Sequence, residues 1–155
     1  MIKENLLAQS LELKLNNAIT SVNNDETIFE DRGFLCIIRQ VDGSGHLCGY
    51  VITPMTHKIN KETYANDWDI PLNCHGGVTF TENLTLHNLA YNVIGFDCNH
   101  GCDYSPLMPF MGDPSNYKDV NYVTNELKNM VTELLGMDEL NTIKEIEIIK
   151  PLLLG

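Results

Sequence analysis

Basic residues are scarce in this chain of 155. Ten lysines and arginines stand against 21 aspartates and glutamates, giving a formal net charge of -11. A protein that binds nucleic acid regardless of sequence needs a basic face to displace counterions, so that class is excluded. Anionic membrane surfaces are disfavoured on the same ground. A small phosphorylated ligand is not, because backbone N–H groups alone can make a pocket locally electropositive. Long apolar runs are also missing: none approaches the ~18–20 residues that cross a bilayer. The stretch from Met1 to Asn17 is broken by charge and has no small-residue cleavage site, so it does not read as a signal peptide. There is no C-x-x-C pair, which removes the paired zinc knuckle. The five cysteines, an odd number without an export signal, predict free thiols in a reducing cytoplasm.

What is present suits a globular chain. Hydrophobic residues make up 43% and charged residues 20%. The length fits one domain, which typically buries roughly 68–70% of its unfolded surface. Leu6, Leu7, Leu11, Leu15 and Ile19 recur at helical spacing, predicting a helix over residues 3–22 that Asn23, Asn24 and Asp25 terminate. Residues 1–24 therefore read as a helical extension and 25–155 as a single domain.

Phe34 to Gln40 and His46 to Thr53 are apolar and partly β-branched. Asp42-Gly43-Ser44-Gly45 joins them, which predicts a β-hairpin. Residues 54–71 form a polar excursion with Trp68 near its end and one helical turn expected around Lys61 to Asn66. Trp68 is expected either to anchor this segment or to stack on a ligand. Val78 to Thr81 and Tyr91 to Phe96 read as strands. Asp113 and Pro114 predict the start of a long helix with Val120, Val123, Leu127, Val131 and Leu134 as its buried stripe and Gly136 as its end. Lys144 to Leu154 reads as a last edge strand. Consecutive strands with one long helix across a face imply an α+β fold with an antiparallel or mixed sheet.

Chemistry-bearing residues concentrate in two places, Cys74-His75-Gly76-Gly77 and the run from Asp97 to Asp103. Each adjoins a strand end. One reading is metal binding, with Cys98, His100 and Cys102 as weak candidates and Cys74 and His75 nearby, although the spacing is poor for zinc. Another is hydrolysis, with His75 or His100 as general base, Asp97 and Asp103 as carboxylates, and a divalent metal or a cysteine nucleophile (Cys98 or Cys102) as variants. A third is recognition without chemistry, in which Gly76 and Gly77 let backbone N–H groups approach a phosphate. The bland alternative makes His75 and His100 satisfied polar residues that close the sheet ends.

In order, Gly49-Tyr50-Val51-Ile52-Thr53-Pro54 with His57, then His75-Gly76-Gly77-Val78-Thr79-Phe80, then Gly95-Phe96-Asp97-Cys98-Asn99-His100 with Asp103, resemble a family of small uncharacterised bacteriophage and bacterial proteins. Its members carry G-Y-V-x-V-P-x-x-H-P, V-H-G-G-L-T-[FY] and G-F-D-C-A-H-x-x-D. The likeness covers about residues 30–135. The chain departs from it at Lys58, where the family has proline, at Asn99, where it has alanine, and at Cys102, which falls in a variable position. The resemblance implies His57, His75, Asp97, His100 and Asp103 as site residues.

The resulting expectation is a phage-type protein of the host cytoplasm that binds a small nucleotide-derived ligand and sequesters an immune signal. Gly76 and Gly77 would hold phosphate, with His75, His100, Asp97 and Asp103 on polar edges, and His57 and Trp68 closing the pocket under the 54–71 excursion. The rivals are a hydrolase at the same site and an acidic inhibitor that binds a protein. A homodimer is a further expectation, from the apolar stripe of the first helix.

Overall fold

The computed structural model describes residues 22–86, 88–108 and 113–137. The helix expected over residues 3–22 lies outside them except for its last residue, and the strand expected over 144–154 lies wholly outside them.

Five strands form one antiparallel sheet: β1 (Val22–Asp31), β2 (Phe34–Val41), β3 (Leu47–Pro54), β4 (Phe80–Leu86) and β5 (Leu89–Asp97). Their spatial order is β1-β2-β3-β5-β4. One long helix, α1 (Val120–Met137), packs on the sheet, chiefly against β3 and β2. The architecture is α+β. No described helix is long and apolar enough to cross a membrane.

The predicted hairpin is β2–β3, with Ile37 opposite Tyr50. Every residue of β3 is buried, as are the first six of β2. That is why these runs are mostly apolar and do not alternate, with Arg39 and Thr53 the buried polar exceptions. Phe34, Cys36 and Ile38 point to the helix side, with Val51, Ile94 and Phe96. Leu35, Ile37, Tyr50, Ile52 and Val93 point to the other side, where every described member of the apolar cluster comes from a strand of the sheet.

β1 is a strand that the sequence reading missed, and it crosses the boundary expected at residues 24 and 25. Asn23, Asn24 and Asp25 do not end a helix here. The register shifts between Val22 and Glu26, so these turn-preferring residues fall in a bulge. β1 joins β2 through Arg32 and Gly33, at φ 48° and 94°, a tight two-residue connection.

The helix also starts later than expected. Asp113 and Pro114 open a single 3₁₀ turn, Pro114–Asn116, in which the Asp113 carboxylate accepts from Ser115 N–H. The chain then extends, and Asp119 Oδ1 accepts from Tyr122 N–H at 2.9 Å, capping α1. Val120 is 46% exposed and drops out of the stripe, and Met130 joins Val123, Leu127, Val131 and Leu134 in the core. Gly136 lies within the helix and does not end it.

The 54–71 excursion carries 3₁₀ turns at Lys58–Asn60 and Asp67–Asp69, on either side of the turn expected at Lys61 to Asn66. Ile59 and Ile70, with Leu72 just beyond, anchor the segment. Trp68 does not, being 71% exposed. The hollow beneath the excursion is small, ≈ 80 Å³, and is lined by residues such as Ile59, Tyr64 and Asn92, none of them a predicted site residue.

Candidate functional site

β4 and β5 are antiparallel, with Phe80 opposite Gly95. The start of β4 therefore lies beside the end of β5, and the chain entering one meets the chain leaving the other. Cys74-His75-Gly76-Gly77 forms the entry, a turn closed by Gly77 N–H to Cys74 O at 2.9 Å. Gly76 and Gly77 sit at φ 71° and 81°, which only glycine adopts without strain. The exit loop is bound to itself: Asn99 N–H donates to Asp97 Oδ1, and Asp103 N–H donates to His100 O.

Asp103 is the hub. Its Oδ2 lies 2.7 Å from His75 Nε2 and 3.3 Å from His100 Nδ1, and accepts from His100 N–H at 2.9 Å. Its side chain is 2% exposed. Burial alone would raise its pKa, but the hydrogen bonds from the His100 backbone and from His75 outweigh that and hold the carboxyl below its ordinary value. An ionised Asp103 makes His75 Nε2 a donor. In neutral His75, Nδ1 then accepts from the Tyr122 hydroxyl, 2.8 Å away in the first turn of α1. Burial, with Glu126 adding to it, holds the Tyr122 phenol above its usual range, so it stays protonated. Lys118 Nζ stands 3.8 Å from Asp103 Oδ1 and 5.4 Å from the centre of the Tyr122 ring.

The two imidazoles meet edge to face with centroids 5.3 Å apart. His100 is the more open of the two, at 37% against 17% for the side chains. Its Nδ1 faces Asp103 and, at 3.8 Å, Asp97. Its Nε2 lies against exposed Gly76 and has no hydrogen-bond partner among the described residues. Beside the His100 residue opens a cleft of ≈ 260 Å³ lined by Asn99, His100, Gly101, Asp103, Ser105 and Met108. Ser105 O–H donates to Asn99 Oδ1 at 3.0 Å and so fixes the Asn99 amide at the rim.

The cysteines stay apart from this arrangement. Cys98 is 1% exposed, and burial foremost, then the Asp103 charge, pushes its thiol far up. The Cys74 thiol is pushed up to about 12 by burial and by Glu126 and Glu133. Neither supplies thiolate near neutral pH, which a nucleophile requires. Cys102 is exposed. The ligand atoms of His75, His100 and Asp103 lie within 4.8 Å of one another, so this group could hold a metal ion, and neither Cys98 nor Cys102 belongs to it.

His57, Trp68 and Gly77 take places other than those expected. His57 is 1% exposed. Its Nδ1 accepts from Ile59 N–H, capping the Lys58–Asn60 turn, and its Nε2 donates to Leu134 O at 2.9 Å, tying the excursion to α1, so both ring nitrogens are engaged. Trp68 lies on the exposed surface of the excursion and lines no part of the cleft. The Gly77 N–H is committed to the turn and is not free for phosphate. Tyr122 and Lys118 were not anticipated: both lie in or just before a helix, where a tyrosine and a lysine carry no motif. Ser105, in the loop beyond the Asp97–Asp103 run, escaped notice as well.

Comparison with protein-family models, curated proteins and solved structures gave no match for this chain.

Proposed function

We propose that the cleft beside His100 binds a small anionic, nucleotide-like ligand, and that a phage-type protein with this site acts by sequestering such a molecule. One observation carries the reading. His100 borders an open cleft with its Nδ1 backed by a buried carboxylate, and its Nε2 has no partner among the described residues. An imidazole held in this way donates to a phosphate oxygen when protonated and accepts from a hydroxyl when neutral. Asn99 adds an amide at the rim, and Lys118 supplies positive charge next to Asp103. The cleft is slightly smaller than typical ligand pockets of about 300–1,000 Å³. That size favours the phosphate-ribose portion of a ligand over a whole dinucleotide.

The same backing of His100 by Asp103 favours one rival, hydrolysis with His100 as general base. Incubation with a nucleotide panel, heat denaturation and chromatography of the supernatant separate the two. Sequestration returns the ligand intact, and hydrolysis returns it cleaved. His100→Ala should abolish retention while circular dichroism stays unchanged. A wild-type chain that retains and alters nothing across the panel would sink both readings.

A further inference from the structure

We infer that His75, His100 and Asp103 form a mononuclear site for a divalent transition-metal ion, with one coordination position open to the cleft. The inference deepens the reading of the site given above, and its test does not depend on any nucleotide. Two imidazoles and a carboxylate form a donor set suited to zinc, iron or cobalt and poorly suited to calcium or magnesium, which prefer oxygen alone. Around a tetrahedral ion with ligands at ~2.0–2.1 Å, neighbouring donors stand about 3.3 Å apart. His100 Nδ1 and Asp103 Oδ2 are already 3.3 Å apart. His75 Nε2 and Asp103 Oδ2 are 2.7 Å apart, so that hydrogen bond must open slightly, and the two imidazole donors lie within 4.8 Å of each other and close on the ion as it binds.

The surroundings are those of a supported centre. Ligating histidines characteristically give their second ring N–H to an oxygen acceptor, which fixes the tautomer. The Tyr122 oxygen stands in that position, 2.8 Å from His75 Nδ1. The His100 backbone N–H orients the Asp103 carboxylate. Asp97, 3.8 Å from His100 Nδ1, adds negative charge, while Lys118 opposes a cation from the Oδ1 side. Three protein donors leave a fourth position for water or ligand, as in catalytic sites and unlike closed structural ones.

In neutral His75, ligation also reverses the tautomer. Without an ion Nε2 carries the proton and donates to Asp103. With one, Nε2 is the ligand and Nδ1–H donates to Tyr122. This switch can be observed directly.

The test uses the full chain, stripped with EDTA and titrated with zinc and with cobalt by calorimetry and visible absorption. One equivalent per chain is expected, with cobalt absorption of low-coordinate type and a ¹⁵N shift that moves the His75 proton from Nε2 to Nδ1. His100→Ala should weaken zinc binding at least tenfold. Tyr122→Phe should weaken it by about 10–100-fold, the usual loss for an outer-shell partner, and alter the cobalt spectrum. Cys98→Ser and Cys102→Ser should leave both unchanged. Uptake below a tenth of an equivalent by folded protein would overturn the metal site, as would full uptake by folded His100→Ala. If the folded protein takes up no metal yet still retains a nucleotide, the metal inference falls on its own and the binding reading stands.

Discussion

The imidazole of His100 lies directly over the α-carbon of Gly76, in the space that a side chain on Gly76 would occupy. Gly77, the next residue, has a similar backbone conformation but faces open space. Adjacent glycines thus separate two effects that usually come together.

Gly77→Ala should lose only the backbone term, about 1–2 kcal/mol for an alanine held in the left-handed region. Gly76→Ala should lose that and also displace the His100 ring. Denaturant titrations should therefore show both variants destabilised. NMR of the His100 ring, together with ligand retention, should change in the Gly76 variant alone.

His57→Ala should destabilise the fold without touching the cleft. The variant leaves Ile59 N–H and Leu134 O without their ring partner in a buried setting, at about 1–3 kcal/mol for an unsatisfied group. Urea midpoints should fall, and ligand retention by the protein that remains folded should match wild type. A loss of retention at full stability would return His57 to the site.

Along α1, truncation should sort by depth. Leu127 is fully buried, so Leu127→Ala should cost about 2–5 kcal/mol. Val120 opens the helix and is half exposed, so Val120→Ala should change stability by no more than about 0.5 kcal/mol. Paired denaturation curves decide this. Equal losses would place the helix start nearer Pro114.

Stability should decline on mild acidification through His46. Burial holds its imidazole below the ordinary value of 6.5, against the upward pull of Asp97 and Asp103. The unfolded chain therefore binds the proton more readily. The contribution of His46 is fully present above about pH 6.5 and is lost as pH falls through the lower folded value. Urea midpoints measured from pH 8 to 5 should drop less steeply in His46→Gln than in wild type.

Much of the sheet was legible because β2, β3 and β5 are largely buried on both sides and so read as short, mostly apolar runs. β1 was not, because Asn23, Asn24 and Asp25 carry the same local signal whether they end a helix or fill a bulge. The cap at Asp113 and Pro114 was read correctly as a start, but of a single turn. Length was the missing information, and it came from tertiary packing that begins only at Val123. The two halves of the site stood out because His75-Gly76-Gly77 and the Asp97–Asp103 run are unlike ordinary strand ends. Tyr122 did not, since its contact with His75 spans 47 positions. His57 misled because a buried histidine satisfied by backbone groups looks, in sequence, like one waiting for a ligand.

The helix is moored at several points to segments distant in the chain. Arg32 donates to Lys128 O at 2.7 Å, His57 holds Leu134 O, and Glu133 grips Asn73 just ahead of the His75 turn. Its opening turn carries the phenol that steadies His75. A disturbance at the far end of this rod should therefore travel along it and reach the imidazoles as misalignment, long before the molecule comes apart.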